Sequence, residues 1–453
     1  MHEMNNIQQR LEKLGIGIPE ILLPGNPDLQ RWSVIACDQF TQDRSYWEKA
    51  KEAAGGSPST LNLILPEVYL ADTGRLERIE DIHRTMRTYL DTGVFSTPRR
   101  GFVYLERDTP FNRKRKGLVV AVDLEQYDWH PSARPLIRAT EGTVPERLPP
   151  RMDIRRNAPF ELTHIIMLID DDTDTLLPGL AERTKNTPVY QGDLMQNSGR
   201  VSGWFLDADE GGSSGLAFLA GGLEELSRRA VFRYADETKI HEQEACQPFL
   251  FAVGDGNHSL ATAKGIWEEY KAAGAAPDHP SRYALVEIEN IYDPAIQFEP
   301  IHRIVFGIGF DETLKLLSAL PGFSCEKLTD REVMTRLVAE PIQGNRFGVA
   351  AKDQYALVTT SATGISTASL QPLLERAESG SAGISVDYIH GTDDLLRLAC
   401  APEKKATGIL LPPVQKAGLF ETVARHGPLP RKSFSMGEAE EKRFYLECRK
   451  LFG

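Results

Sequence analysis

The stretch that most restricts how this chain can fold runs from Pro248 to Lys271. PFLFAV is an unbroken apolar run of strand length, GDGNHS is a turn, and LATAKGIWEEYK places its apolar residues at helical spacing. A buried strand that passes through two glycines straight into a helix commits this part of the chain to layered α and β structure. Gly254 and Gly256 let the backbone turn tightly, while the first amides of the following helix lack internal acceptors and point outward. With the helix dipole behind them, these amides attract an anion. A carboxylate is unwelcome beside phosphate unless it has a separate duty, such as taking a proton from an attacking hydroxyl or holding a metal. Asp255 is therefore a candidate for chemistry, with Asn257, His258 and Ser259 beside the anion. Read as structure alone, the same Asp, Asn and Ser cap the helix.

Composition narrows the classes of function. The chain has 453 residues and a formal charge of -12, and its one basic run is RDTPFNRKRKG. Binding nucleic acid across the surface rests on phosphate neutralisation, which an acidic chain does not supply. The five cysteines, at 37, 246, 325, 400 and 448, include no CxxC pair, so neither a zinc knuckle nor a redox dithiol is indicated. A reduced, cytoplasmic setting fits. No apolar stretch is long enough to cross a bilayer, which points to a soluble protein with neither nucleic acid nor membrane as partner.

Along the chain, WSVIAC (Trp32 to Cys37) reads as a buried strand ending at Asp38, and Gly74 to Thr92 as a helix. GFVYLER and GLVVAVDL form a hairpin. Between Leu136 and Asp172, Arg138, Glu141, Arg147, Arg151 and Arg155 lie close enough in sequence to line one cleft, and the planar fork of arginine suits phosphate or carboxylate. The same segment can also be a surface loop and helix laced with salt bridges. GGSSGLAFLAGG lacks the lysine and hydroxyl residue of a Walker motif and reads as a flexible connection. FEPIHRIVFGIG is a strand with His302 and Arg303 adjacent; a strand histidine is ordinarily a hydrogen-bonded structural group, and Arg303 keeps this one among the candidates. STASLQPLLERAESGSAGIS reads as a mobile insertion. In the tail, Arg431, Lys432, Ser433 and Ser435 precede a helix expected to begin near Gly437, a combination that offers a phosphate seat. As structure alone, the tail is a capped amphipathic helix docking through Phe444, Tyr445 and Leu451.

GDGNHSLATAK, RATEGTVPERL, EPIHR and PRKSFSMGEAEEKR together resemble the bacterial and archaeal family catalogued as domain of unknown function 1015, over nearly the whole chain. In that family the turn is usually Asp-Gly-His-His-Arg, similar to the signature of the ParB/sulfiredoxin-like fold, which includes free serine kinases using ATP, ADP or pyrophosphate. The resemblance implies an α+β fold, with an elaborated ParB/sulfiredoxin-like core, a mixed sheet and flanking helices. It implies a core over residues 1–300 and a C-terminal α/β subdomain over 301–453 closing on the same cleft, or else one continuous domain. The role of motif aspartate, activation of the serine hydroxyl, falls on Asp255, with His258 beside the phosphates. A second carboxylate is expected from an earlier segment, and Asp38 and Glu141 are the contenders. Asn257 stands where the family has its first histidine and Ser259 where it has arginine, so either another group, such as Arg138, Arg303 or Lys432, supplies the missing cation or the donor differs.

These readings predict transfer of a phosphoryl group to the hydroxyl of free L-serine or a similar metabolite, with magnesium and a nucleotide or pyrophosphate donor. The alternatives are a regulatory protein that binds a nucleotide or metabolite without turnover, and a phosphohydrolase using the same cleft. A sulfiredoxin-type reaction needs a thiolate in the turn, and GDGNHS contains no cysteine.

Overall fold

A computed structural model describes residues 2–41, 43–111, 113–184, 186–209, 213–234, 247–401 and 405–452. The fold is α+β. The chain divides into two compact units, one of residues 1–296 joined by 438–453, the other of residues 297–437. The last segment of the chain thus returns to the first unit.

The first unit is organised by a mixed sheet. Its main path uses β1 (Arg99–Asp108), β2 (Lys114–Asp123), β3 (Tyr127–Asp128), β4 (Ile137–Ala139), β5 (Ile165–Ile169), β6 (Tyr190–Asp193), β7 (Arg200–Asp207), β8 (Phe251–Asp255) and β9 (Tyr283–Asn290). Their spatial order is β3-β4-β8-β5-β9-β2-β1-β7-β6. The expected hairpin is β1 and β2, paired antiparallel from Val103↔Val119 to Asp108↔Lys114. Alternation along these strands sends side chains to opposite faces. Phe102, Tyr104, Leu118 and Val120 pack with Leu11, Leu177 and Leu219 on one face, whereas Val103, Leu105 and Val119 pack with Trp47, Ile79 and Ile82 on the other. Both faces are covered, which is why so many of these strands are apolar along their whole length. β8 lies inside the sheet, parallel to β4 and antiparallel to β5, so the run PFLFAV is buried as its composition predicts.

The second unit has an antiparallel sheet of β10 (Phe298–Phe306), β11 (Ser324–Leu328), β12 (Asn345–Ala351), β13 (Gln354–Thr360), β14 (Ser385–His390) and β15 (Ala406–Leu410), in the order β11-β13-β12-β15-β10-β14. A short β16 (Phe434–Met436) joins the start of β10.

Four local expectations are corrected. WSVIAC is not a sheet strand: Asp28 caps a single helical turn, Leu29–Trp32, and the following residues make only an isolated bridge, Ile35 to Phe444. The serine- and glycine-rich segment near residue 215 is not a connection but part of the helix Ser213–Tyr234, in which Leu216, Leu219 and Leu223 are buried. STASLQPLLERAESG is the helix Ser366–Gly380, anchored by buried Leu370, Leu373 and Leu374. In both segments leucines at helical spacing outweigh small, flexible neighbours. The terminal helix is absent. Residues 439–441 form a single 3-10 turn, and Cys448–Lys450 pairs as a strand with Phe160–Leu162. Arg443 and Glu447 are buried along with Phe444, Tyr445 and Leu446, so no polar face exists for an amphipathic helix. Among the described residues no helix is long and apolar enough to cross a membrane, and Cys37, Cys325, Cys400 and Cys448 form no disulfide.

Candidate active site

Strand β8 ends at Asp255, and the helix Asn257–Ala272 starts two residues later. Gly256 joins them with a φ of 83°, in the left-handed region that side chains other than glycine resist. The helix has no side-chain cap. The polar side chains of the turn bond to groups in and around it. Asp255 Oδ1 accepts from the Gly256 amide at 3.1 Å. Asn257 Oδ1 accepts from the Thr140 amide at 3.2 Å and its Nδ2 donates to Thr140 Oγ1 at 3.3 Å. His258 Nε2 accepts from the Val144 amide at 3.3 Å. The segment after β4 is thereby strapped across the turn.

Behind the turn lies a cavity of about 140 Å³, entirely within the first unit. Ser259 and His164 stand on its wall, and His164 Nε2 is 2.7 Å from Ser259 Oγ. Burial pushes the His164 pKa below its usual value, against the opposing pull of Asp38 and Asp255. The ring is consequently neutral near pH 7, able to accept a proton. Arg151 and Arg155, one turn apart on the helix Leu148–Arg155, line the same cavity. Arg151 pairs with Glu67, and Arg155 with Glu161 at 2.7 Å. Burial raises the Glu67 pKa in spite of Arg151. Cys37 also lines the cavity, but burial and then Asp38 push its thiol up to about 12, which leaves it unreactive as a nucleophile. Lys442 Nζ, nearly buried, is 3.5 Å from Asp255 Oδ2.

The family described as a protein of unknown function, DUF1015, matches residues 25–377. The chain belongs to DUF1015. No curated protein matches this DUF1015 chain. Among solved structures, a free serine kinase in complex with AMP is 11% identical, with a TM-score of 0.36, covering 74% of this chain and 92% of that one. A conserved hypothetical protein from Pyrococcus furiosus is 12% identical, with a TM-score of 0.33, covering 74% and 95%. SbnI from Staphylococcus aureus, truncated at its C-terminus, is 12% identical, with a TM-score of 0.33, covering 72% and 82%.

The remaining predicted residues of the DUF1015 chain divide between the two units. Glu141 follows Thr140, the partner of Asn257, and so sits on the strap over the turn. Asp38 accepts from Gln39 Nε2 at 3.0 Å and shares the surroundings of His164 with Asp255. Arg138 is buried on β4, donating to the Pro135 carbonyl at 3.0 Å and lying over the Phe249 ring. Those contacts fix it toward the entry of β8 rather than toward Asp255 at the exit. His302, Arg303, Arg431, Lys432, Ser433 and Ser435 belong to the second unit. His302 Nδ1 accepts from the Leu411 amide at 3.1 Å. Arg303 is fully buried, donating to Gln371 at 2.8 Å and to the Ile301 carbonyl. Ser433 donates to the Pro430 carbonyl and Ser435 to that of Gly437. With no helix after Gly437, the expected tail seat lacks the amides it was to use.

Lys442 and His164 were not among the predicted residues. His164 is one residue in front of the apolar β5 and carries no motif. Lys442 lies among the alternating charges of EAEEKR, which read as a solvated helix face until the segment folds back on the first unit.

Proposed function

We propose that this DUF1015 chain is a small-molecule phosphotransferase, moving a phosphoryl group from ATP, ADP or pyrophosphate to the hydroxyl of free L-serine or a similar metabolite. The reading assigns it a ParB/sulfiredoxin-like core and a reduced, cytoplasmic setting. The observation that supports it is the uncapped helix start beside Asp255. Had Asp255, Asn257 or Ser259 capped the helix, the turn would be explained as structure. Instead the helix starts without a side-chain cap, and beside it a carboxylate and an ammonium meet at 3.5 Å.

In this mechanism Asp255 takes the proton of the acceptor hydroxyl as its oxygen attacks the terminal phosphorus and the bond to the donor breaks. The helix amides and Lys442 hold the phosphoryl oxygens, where fixed donors stabilise developing charge. Magnesium usually binds through one or two carboxylates plus the phosphates of its substrate. Asp38, which shares the surroundings of His164 with Asp255, is the carboxylate that fits this duty. Among the described residues no group of three or more His, Cys, Asp or Glu side chains gathers as a cation site. When bound, the ion supplies neutralisation of the polyphosphate charge.

The test is a coupled assay of the purified protein with serine, magnesium and each of ATP, ADP and pyrophosphate, extended to other small alcohols. Asp255→Asn is expected to lower turnover by about a hundredfold or more. Absence of phosphorylated product with every donor and acceptor, or full activity in Asp255→Asn, would overturn the proposal.

A further inference from the structure

The direct transfer just described leaves Ser259 and His164 without a task. Their geometry is that of a nucleophile and its base: a hydroxyl 2.7 Å from an imidazole nitrogen, both on the wall of one cavity. Ser259 is the third residue of the helix Asn257–Ala272, whose internal ladder starts only with the Leu260 amide bonded to the Gly256 carbonyl at 3.0 Å. Ser259 thus belongs to the first turn of the helix whose start the phosphotransferase reading assigns to the phosphoryl group. The His164 ring is wedged against Tyr445, with centroids 5.3 Å apart, and this fixes it toward the serine.

A structural duty explains the pair less well. Serine three residues into a helix commonly bonds back to a carbonyl one turn earlier. Thr262, one turn further on, does this with the His258 carbonyl at 2.7 Å. Ser259 is bonded instead to a side chain ninety-five positions away in sequence.

We propose that Ser259 is a covalent catalytic residue that carries the phosphoryl group between donor and acceptor, with His164 as its base. The proposal rests on the phosphotransferase reading for its donor, a nucleoside polyphosphate or pyrophosphate, and adds a step to it. In the first half, Ser259 Oγ attacks the terminal phosphorus and forms an O–P bond. The bond from phosphorus to the donor's bridging oxygen breaks, and the Oγ proton passes to His164 Nε2. In the second half, the acceptor oxygen attacks the phosphoserine, its proton passing to Asp255. The Oγ–P bond breaks and His164 returns its proton to Oγ. With water as acceptor, the same second half releases inorganic phosphate.

Two displacements at phosphorus retain its configuration, whereas one direct transfer inverts it. The experiment uses the full-length wild-type protein, magnesium and ATP made chiral with oxygen isotopes at the terminal phosphate, and reads the configuration of the product. In parallel, protein quenched after incubation with ATP or pyrophosphate is mapped by mass spectrometry for a phosphoryl group on Ser259. Retention, with label at Ser259 that is lost in Ser259→Ala and forms on the order of a hundredfold more slowly in His164→Asn, is the expected result. Inversion, or wild-type transfer by a folded Ser259→Ala protein, overturns the covalent route and leaves the phosphotransferase reading in place. Label on Ser259 without transfer to any alcohol keeps the covalent step and overturns the alcohol acceptor. Neither label nor transfer with any donor overturns both.

Discussion

Asp255 ends strand β8 and Ser259 lies in the first turn of the following helix, yet the fold gives them different companions, Lys442 for the first and His164 for the second. Neither partner is near the turn in sequence, so the turn could be recognised without its chemistry being complete. Lys442, which the sequence did not single out, is the ammonium beside Asp255. Between the two reactive positions, Gly256 holds the chain at a φ of 83°, and a Cβ added there would lie 3.1 Å from Ile165 Cγ1. Gly256→Ala is expected to cost about 1–2 kcal/mol of stability, from the left-handed backbone and the crowding against Ile165, read as a lower denaturant midpoint. Turnover in that variant should fall as well, because the turn that aims Asp255 must shift.

At the scale of elements, period and burial were legible wherever one segment decides its own structure. The hairpin of β1 and β2 and the β8-to-helix passage follow from local pattern, whereas the Ser366–Gly380 helix was obscured by its serines and alanines. Strand β10 presents a titrating histidine. Burial, then neighbouring Arg303 and His390, lower the His302 pKa from 6.5 to about 4. The ring stays neutral in the folded unit, where it accepts from the Leu411 amide, while the unfolded chain takes up the proton near 6.5. The second unit should therefore keep this contribution above pH 6.5 and lose it as the pH falls from about 6.5 to 4, roughly 3 kcal/mol in all. His302→Asn, whose side-chain oxygen can still accept from Leu411, should flatten the dependence. Unfolding curves recorded at several pH values across that window check the sign, and a second unit that gains stability on acidification would contradict it.

On the scale of the whole molecule, the deciding contacts are those of residues 438–453 with the rest of the first unit. Arg443 pairs with Glu287 at 2.7 Å and with Glu447 at 2.5 Å, all three buried, and Arg107 donates to the Glu441 carbonyl at 3.1 Å. Removing one member of a buried ionic group leaves uncompensated charge behind. Arg443→Met is expected to destabilise the first unit by about 3–5 kcal/mol, seen in its denaturant midpoint, and to displace Lys442 from Asp255 with loss of turnover. Wild-type stability and activity in Arg443→Met would show that the segment is held by its apolar residues alone. The sequence by itself determined the α+β class and the turn GDGNHS, because hydrophobic period and the backbone freedom of glycine act over a few neighbouring residues, and its separated motifs carried the resemblance to the family. Only the tertiary structure decided that the last segment enters the first unit as extended chain and sets Lys442 beside Asp255, and that His164 meets Ser259. Such pairings depend on which distant charges and rings are buried together, and nothing local in the chain encodes that.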